Sequence, residues 1–549
     1  MRRPVQRFVS VTQGDCLMLR LDCGSTPPYC DGLSRRSFLQ LGVSGLASAG
    51  RAVGMKMPGA VPPPAKDKRF TDPAWEQNAG FFGVLQAYRV FERLIEDLLE
   101  LAELGEPWAG KARFALRGIA DALAPTNFLA GNPAALKRAF DTGGLSLVKG
   151  FQNWWTDFTT NGGLPRKVDR SAFVLGKNLA ATPGKVVFRN DLMELLQYSP
   201  TTPTVHAVPL LMSPPWINKY YVMDLAPGRS FAEWAIKHGH TVFQISYRNP
   251  DKTMGDTRLD DYLLEGPRTA LDVINDITGS EKVNMVGLCL GGSLTGMLLA
   301  YLAAKGDDRI NSATLLNTLI DFSEPGSLGT FLDPESVARI EAKMAKQGFL
   351  DSKEISRTFD FLRANDLIWS YVASSWLMGD SPPAFDILAW NEDGTRMPAA
   401  MHSFYLRSCY IGNQLAKGEM VLDGTRLNLG DIKEDAYVLS AKEDHIAPWT
   451  ASYKTTQLLP GKVRYVLSSS GHIAGIVNPP SPKSKHWTNE STPPDPQQWL
   501  NAAKEHQGSW WEDWATWIAE RAGPRQQPPP MGSAAYPPIA DAPGSYVHG

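Results

Sequence analysis

The amino-acid sequence predicts an α/β chain in which a mostly parallel sheet carries an inserted helical cap and is preceded by a helical domain. Three observations lead there. Six short apolar runs (Val205 to Met212, Thr241 to Tyr247, Val283 to Gly287, Ala313 to Asn317, Tyr437 to Ser440 and Val463 to Leu467) are separated by helical patterns, as expected of buried parallel strands joined by crossover helices. The interval from about residue 320 to 430 is too long for a plain crossover and contains helical segments such as Ile355 to Val372. It reads as a cap over the carboxyl ends of the strands, where sites in such sheets lie. Upstream, Val84, Tyr88, Phe91, Ile95 and Leu98 recur at spacings of 4, 3, 4 and 3, one apolar stripe down an amphipathic helix.

The elements follow in order. Residues 1–65 read as a leader. Within it, Ser34-Arg35-Arg36-Ser37-Phe38-Leu39 and the small, apolar stretch to Ala49 have the layout of a twin-arginine export signal with an Ala-x-Ala cleavage site. The alternative is a fusion or a misplaced start, with Met55 or Met57 as the beginning. A Pro-rich linker runs from Pro58 to Lys66. Residues 66–180 form the helical domain, opened by Thr71-Asp72-Pro73, a cap with proline at the first helical position. Its stripe is expected to face a core. Aromatic residues continue through Phe128, Phe140 and the stretch from Phe151 to Phe158, without catalytic spacing. Residues 181–522 hold the sheet, the cap at about 320–430, and a helix on which Trp510, Trp514 and Trp517 share one face, read as core packing. Residues 523–549 are a Pro-rich surface arm.

Composition narrows the function. The chain has 549 residues, 43% hydrophobic and 20% charged, in the range of globular proteins. Lys plus Arg number 55 against 57 Asp plus Glu, a net charge of −2, so no overall field gathers a polyanion or an anionic bilayer. Nucleic acid is excluded as a main partner. No apolar run approaches the roughly 18 residues of a spanning helix, so no integral membrane protein is expected. Five cysteines, an odd count, make no complete disulfide framework. Cys16, Cys23 and Cys30 are separated by six intervening residues each, which suits no common zinc site.

Chemistry concentrates at Gly287-Leu288-Cys289-Leu290-Gly291-Gly292. The segment ends an apolar strand and opens a helix in which Leu294, Met297, Leu298, Tyr301 and Leu302 keep helical spacing. This is the layout of the G-x-S-x-G nucleophile elbow with Cys in place of Ser. A nucleophile on so sharp a turn needs tiny neighbours two residues to either side, and Gly287 and Gly291 supply them. The helix N-terminus favours thiolate, and the Leu290 N–H can point at a developing oxyanion. The plain alternative is a buried structural cysteine in a glycine turn. Elbow enzymes place an acid and then a histidine downstream. Asp444, after the run ending at Ser440, and His472, in the glycine-flanked segment from Ser470 to Gly475, meet that order. His445 competes with His472 because it neighbours Asp444. Adjacent residues at a strand end diverge, so His445 is read as a supporting group behind the acid. His206, His238, His240, His402, His486, His506 and His548 are read as structural or solvated.

Beyond the elbow, the chain resembles the polyhydroxyalkanoate synthases of the class I type from about residue 66 to its end. In the helical part the resemblance rests on Arg69-Phe-Thr-Asp-Pro-Ala-Trp75, Ala124-Pro-Thr-Asn-Phe-Leu129 and Thr142-Gly-Gly-Leu-Ser-Leu147. In the remainder it rests on Pro214-Pro-Trp-Ile-Asn-Lys-Tyr-Tyr221, the Gly-x-Cys-x-Gly-Gly box, Leu362-Arg-Ala-Asn-Asp-Leu-Ile-Trp369, Leu388-Ala-Trp-Asn391, Glu443-Asp-His-Ile-Ala-Pro-Trp449 and Gly471-His472. The resemblance implies an α/β-hydrolase fold and an acyltransferase that polymerises (R)-3-hydroxyacyl-CoA into polyhydroxyalkanoate, releasing CoA through a Cys thioester. It makes Cys289 the nucleophile, Asp444 the acid and His472 the general base, with Asp444 either orienting His472 or helping to deprotonate the substrate hydroxyl. A second oxyanion donor is expected from the loop after the strand ending near Met212, at Ile217. Arg407, in the aromatic stretch Tyr405 to Tyr410, is expected either to meet the CoA phosphates or to make a plain ion pair. Cys409 is expected to be a small buried hydrophobe. No cofactor is implied, since CoA arrives on the substrate. The implied partners are the acyl-CoA, the surface of a polymer granule and a second copy in a homodimer. Acyl-CoA is cytosolic, so the protein is expected to be cytoplasmic and the leader is read as not exporting it. Two other readings stay open: a cysteine thioesterase or esterase of the same fold, and a non-catalytic granule scaffold.

Overall fold

The computed structural model describes residues 67–549 together with Gln40, Ser44 and Val61. The twin-arginine-like motif, Cys16, Cys23, Cys30, Met55, Met57 and most of the Pro-rich linker lie outside the described residues. The chain divides into two units, Met1–Lys167 with Arg363–Pro382, and Val168–Leu362 with Pro383–Gly549.

In the first unit the main helices are α1 (Ala79–Leu101), α2 (Trp108–Ala122), α3 (Pro133–Asp141) and α4 (Leu145–Thr160). Asn78 caps α1 by accepting from the N–H groups of Gly80 and Phe81, and Asn132 caps α3 ahead of Pro133. The apolar stripe of α1 proves only partly inward. Tyr88 and Ile95 are buried, whereas Val84 and Leu98 are 43% and 41% exposed. The buried face instead includes Phe82, Leu85 and Arg89. A charge is tolerated there because the Arg89 guanidinium reaches Asp67 at 2.8 Å and Glu92 at 2.6 Å.

Residues 363–382 cluster with these helices, so the 320–430 segment is not one body. The Trp376 indole donates to Asp157 at 2.8 Å, and the Asn153 amide donates to the Ser375 carbonyl at 3.2 Å. A Cβ at Gly150 would collide with the Trp376 carbonyl. The other side of α4 leaves Val148, Phe151, Trp155 and Phe158 exposed.

The second unit begins at Val168, earlier than the expected boundary near 180, and is built on an 11-stranded sheet. Its strands are β1 (Gly184–Arg189), β2 (Met193–Tyr198), β3 (Leu210–Ser213), β4 (Val242–Tyr247), β5 (Val283–Leu288), β6 (Ile310–Leu316), β7 (Asp435–Ala441), β8 (Val463–Ser468), β9 (Lys485–Thr488), β10 (Lys504–Gln507) and β11 (Ala540–Asp541). They lie in the order β10-β9-β8-β7-β6-β5-β3-β4-β2-β1-β11. The run from β4 through β3, β5, β6 and β7 to β8 is parallel, and both flanks are antiparallel. The expected strand from Val205 to Met212 is two pieces, Val205–His206 and β3. Pro209 between them has no N–H to give a ladder.

Crossovers run through α5 (Phe231–Lys237) after β3, α6 (Thr269–Thr278) after β4 and α7 (Leu290–Lys305) after β5. From Leu290 to Leu302 every residue of α7 is buried, as befits a helix apolar all round. Of the intervening segment, α8 (Pro334–Gln347) and α9 (Ala399–Tyr405) belong to this unit. In α10 (Trp510–Ala519), Trp510, Trp514 and Trp517 are buried, as core packing requires.

The Pro-rich arm is fastened rather than loose. Ala540 and Asp541 extend the sheet edge beside Lys185 and Val186. The Glu194 side chain, shut off from solvent, pairs with Arg189 and accepts from the N–H groups of Ser545 at 2.9 Å and Tyr546 at 3.0 Å. Replacing Glu194 by Leu strands these donors and the arginine. The expected outcome is a loss of about 3 kcal/mol of unfolding free energy in a urea titration, with faster amide hydrogen exchange confined first to residues 540–549.

Candidate active site

Strand β5 ends at Leu288 and α7 starts at Leu290, so the chain must reverse at Cys289, whose φ is 51° and ψ −116°. A side chain other than glycine is strained there, by about 1–3 kcal/mol. Neighbours hold it: the Cys289 N–H donates to Leu316 on β6 at 2.8 Å, and its carbonyl accepts from Gly292 and Ser293 at 3.0 and 3.1 Å. The glycines leave the room. A Cβ on Gly287 would lie 2.5 Å from the Gly292 Cα and 2.6 Å from the Thr295 hydroxyl, and one on Gly291 would run into the carbonyls of Ser213 and Pro214.

Asp444 follows β7. Its Oδ1 accepts from the N–H groups of Ile446 at 2.8 Å and Ala447 at 2.9 Å, leaving Oδ2 for His472 Nδ1 at 2.6 Å. The carboxylate is fully enclosed and the imidazole nearly so. His472 follows β8 on a loop that α10 pins, since the indoles of Trp510 and Trp511 donate to the carbonyls of Gly475 and Ile476 at 2.8 and 2.9 Å. With Nδ1 given to the carboxylate, Nε2 is the ring nitrogen left to face Cys289, which stands near enough to act on the charge of the imidazole. Burial opposes a charge on His472, but the attraction of Asp444 and then of Cys289 outweighs it and raises the pKa well above the ordinary imidazole value.

The other expected residues are placed as follows. Leu290 is the first residue of α7, so its N–H has no intrahelical acceptor. Ile217 lies half-buried on the loop after β3, its carbonyl accepting from the Thr395 N–H at 2.9 Å. Pro214 and Pro215 have no N–H, so Trp216 and Ile217 carry the first two donors of that loop. His445 is half-buried beside Asp444. Arg407 is exposed and forks onto Glu341 through Nε at 2.7 Å and Nη2 at 2.6 Å, the plain ion pair of the two readings. Cys409 is buried, and burial pushes its thiol pKa far up.

An aromatic wall was not anticipated. The Trp216 ring meets Tyr262 at 5.9 Å and Tyr405 at 5.7 Å, and Phe322 meets Tyr410 at 5.1 Å. Burial chiefly raises the pKa of both Tyr405 and Tyr410, and Cys289 adds a smaller upward push on each. Their sequence signal was only the aromatic density around Arg407. Among the described residues, no group of three or more His, Cys, Asp or Glu side chains gathers as a metal site, and no helix is long and apolar enough to cross a membrane.

Two outcomes are expected. Gly291→Ala forces a methyl group against main-chain carbonyls that cannot swing away, so most of that protein should be insoluble, or melt well below the wild type. Asp444→Asn leaves burial of His472 unopposed by the carboxylate, so the imidazole pKa falls and alkylation of Cys289 by iodoacetamide at about pH 7 should slow about tenfold or more. The raised pKa also sets a sign for stability. The folded state holds this proton more tightly than the unfolded chain, so the contribution is complete below about pH 6.5 and drains away as pH rises through the folded value. The gap in melting temperature between wild type and Asp444→Asn should therefore narrow from about pH 6 to about pH 9.

Comparison with known proteins agrees with this architecture. Residues 66–235 match the family model for the N-terminus of poly-beta-hydroxybutyrate polymerase (PhaC), and residues 209–479 match the alpha/beta hydrolase fold. The chain is 46% identical over 492 residues to a poly(3-hydroxyalkanoate) polymerase of Methylorubrum extorquens, covering 89% of this chain and 81% of the relative. It is 43% identical to the PhaC polymerase subunit of Cupriavidus necator, over 88% of this chain and 83% of that one. It is 41% identical to poly(3-hydroxyalkanoate) polymerase 2 of Ectopseudomonas oleovorans, over 91% and 90%. With its elbow and paired Asp444 and His472 set in that fold, the chain belongs to the poly(3-hydroxyalkanoate) polymerase family.

Proposed function

We propose that the protein links (R)-3-hydroxyacyl units from their CoA thioesters into polyester, with release of CoA, through a thioester on Cys289. The observation that carries this reading is the 2.6 Å bond from His472 to Asp444, with Cys289 at the head of α7 near enough to act on the charge of the same imidazole.

His472 takes the thiol proton and the thiolate adds to the thioester carbonyl of the substrate. The N–H groups of Leu290 and Ile217 receive the resulting oxyanion. As the tetrahedral adduct collapses, the C–S bond to CoA breaks and the proton on His472 passes to the departing sulfur. The acyl group is now a thioester of Cys289, nearly equal in energy to the one consumed, so acyl exchange stays reversible. Chain growth follows when the 3-hydroxyl of one acyl unit, losing its proton to His472, attacks the thioester of another; the C–S bond of that thioester breaks as the ester forms, and the proton passes from His472 to the departing sulfur. Asp444 keeps the imidazole oriented and offsets its positive charge. CoA enters and leaves with the substrate, and the reaction needs no other cofactor.

The same reading puts the protein in the cytoplasm, where acyl-CoA is made, as a homodimer at the surface of the insoluble product. The exposed Val148, Phe151, Trp155 and Phe158 support contact with an apolar granule. His445 stands behind Asp444 in this scheme as a supporting group. Arg407 would reach CoA phosphates only by giving up Glu341.

Incubation with 3-hydroxybutyryl-CoA tests the proposal. The wild type should release CoA and turn the solution turbid with polymer, and Cys289→Ala should do neither. CoA release without polymer would identify a cysteine hydrolase instead, and release undiminished in Cys289→Ala would reject the thioester route.

A further inference from the structure

We infer that Asn317 and Thr318, adjacent at the end of β6, are positioning residues that hold Cys289 and His472 to one another. This rests on the roles proposed above for those two side chains.

Strand β6 ends at Leu316, between β5, which delivers Cys289, and β7, which delivers Asp444. From that central place the next two residues act in opposite directions. The Asn317 Nδ2 donates to the main-chain carbonyl of His472 at 2.5 Å, while its own N–H donates to Leu439 on β7 at 2.9 Å. The Thr318 hydroxyl lies 3.3 Å from the Cys289 carbonyl and 3.1 Å from that of Leu316, and the Thr318 carbonyl is itself held by the Ser452 hydroxyl at 2.7 Å. Thr318 also presses on the elbow directly, since a Cβ on Gly292 would collide with its hydroxyl. Two consecutive residues thus grip the main chain at both partners of the proposed proton transfer.

The cost of this arrangement argues for a purpose beyond packing. Asn317 sits at φ 44° in the left-handed region, where glycine would be unstrained and asparagine is among the few side chains tolerated. Its side chain is completely buried, and its Oδ1 has no hydrogen-bond partner. A buried acceptor left unpaired is destabilising. A glycine or a small apolar residue would avoid one or both of these costs, but neither could donate to His472. What the amide provides is a fixed main-chain point one bond away from the imidazole-bearing Cα. A proton transfer of this kind tolerates little misplacement of its partners.

The test uses variants that spare the fold. Asn317→Gly suits the backbone and removes the donor, Asn317→Ala removes the donor with a small apolar side chain, and Thr318→Val keeps the shape and removes the hydroxyl. The expected result with 3-hydroxybutyryl-CoA is a kcat lower by about tenfold in both Asn317 variants and by severalfold in Thr318→Val, with KM within about twofold of wild type. The melting temperature of Asn317→Gly and Thr318→Val should stay within a few degrees. Iodoacetamide alkylation of Cys289 should slow in parallel with kcat, a readout that simple loss of packing would not move in a folded enzyme. Unchanged kcat in the three folded variants, or losses that follow melting temperature while alkylation keeps its wild-type rate, would overturn the inference. Cys289→Ala in the same assay separates the two levels: activity there defeats the underlying mechanism, whereas an inactive Cys289→Ala beside a fully active Asn317→Gly defeats only the positioning role.

Discussion

The reversal of the chain at Cys289 constrains everything around it. A residue at φ 51° between a buried strand and a buried helix is tolerated only while β3, β5 and β6 crowd together closely enough to hold it. That crowding explains the glycines at 287, 291 and 292, each facing a main-chain or side-chain atom closer than any Cβ could sit. It also explains why α7 is largely apolar on all sides from Leu290 to Leu302, since no face of that stretch reaches water.

Electrostatics then decide what the thiol meets. Desolvation alone would make His472 a poor place for a proton, and the enclosed carboxylate of Asp444 reverses that. Two N–H groups of its own loop complete the hydrogen bonding of the carboxylate, in addition to the imidazole. The histidine loop in turn depends on α10, whose buried indoles donate to its carbonyls. Trp510 and Trp511 are therefore core residues with a second consequence, because the packing that buries them also aims the imidazole.

Much of this was legible beforehand. The parallel strands show as apolar runs because both faces of them are covered, and the elbow shows because close approach leaves glycine no substitute. The order of Cys289, Asp444 and His472 along the chain follows from strand order in this fold. The antiparallel flanks were not legible. Strand β1 is polar at both ends, β2 interrupts its apolar residues with Glu194 and Gln197, and β9 to β11 are polar or brief, so their hydrogen bonds leave little mark on composition. The α1 stripe misled at Val84 and Leu98 because Arg89, paired with Asp67 and Glu92, takes a place on the buried face that an apolar count assigns to others.

Residue type and spacing along the chain determined which residues are proposed as nucleophile and partners, Cys289, Asp444 and His472, and the central strands of the sheet that carries them, because strained turns and buried strands restrict which side chains are possible. Only the tertiary structure decided that residues 363–382 join the N-terminal helices, that Arg407 is taken by Glu341, and that Asn317 and Thr318 reach the main chain at His472 and Cys289. These are contacts between segments far apart in sequence. They depend on where whole elements come to rest, and hydrogen bonds to main-chain carbonyls impose no pattern on the residues that accept them.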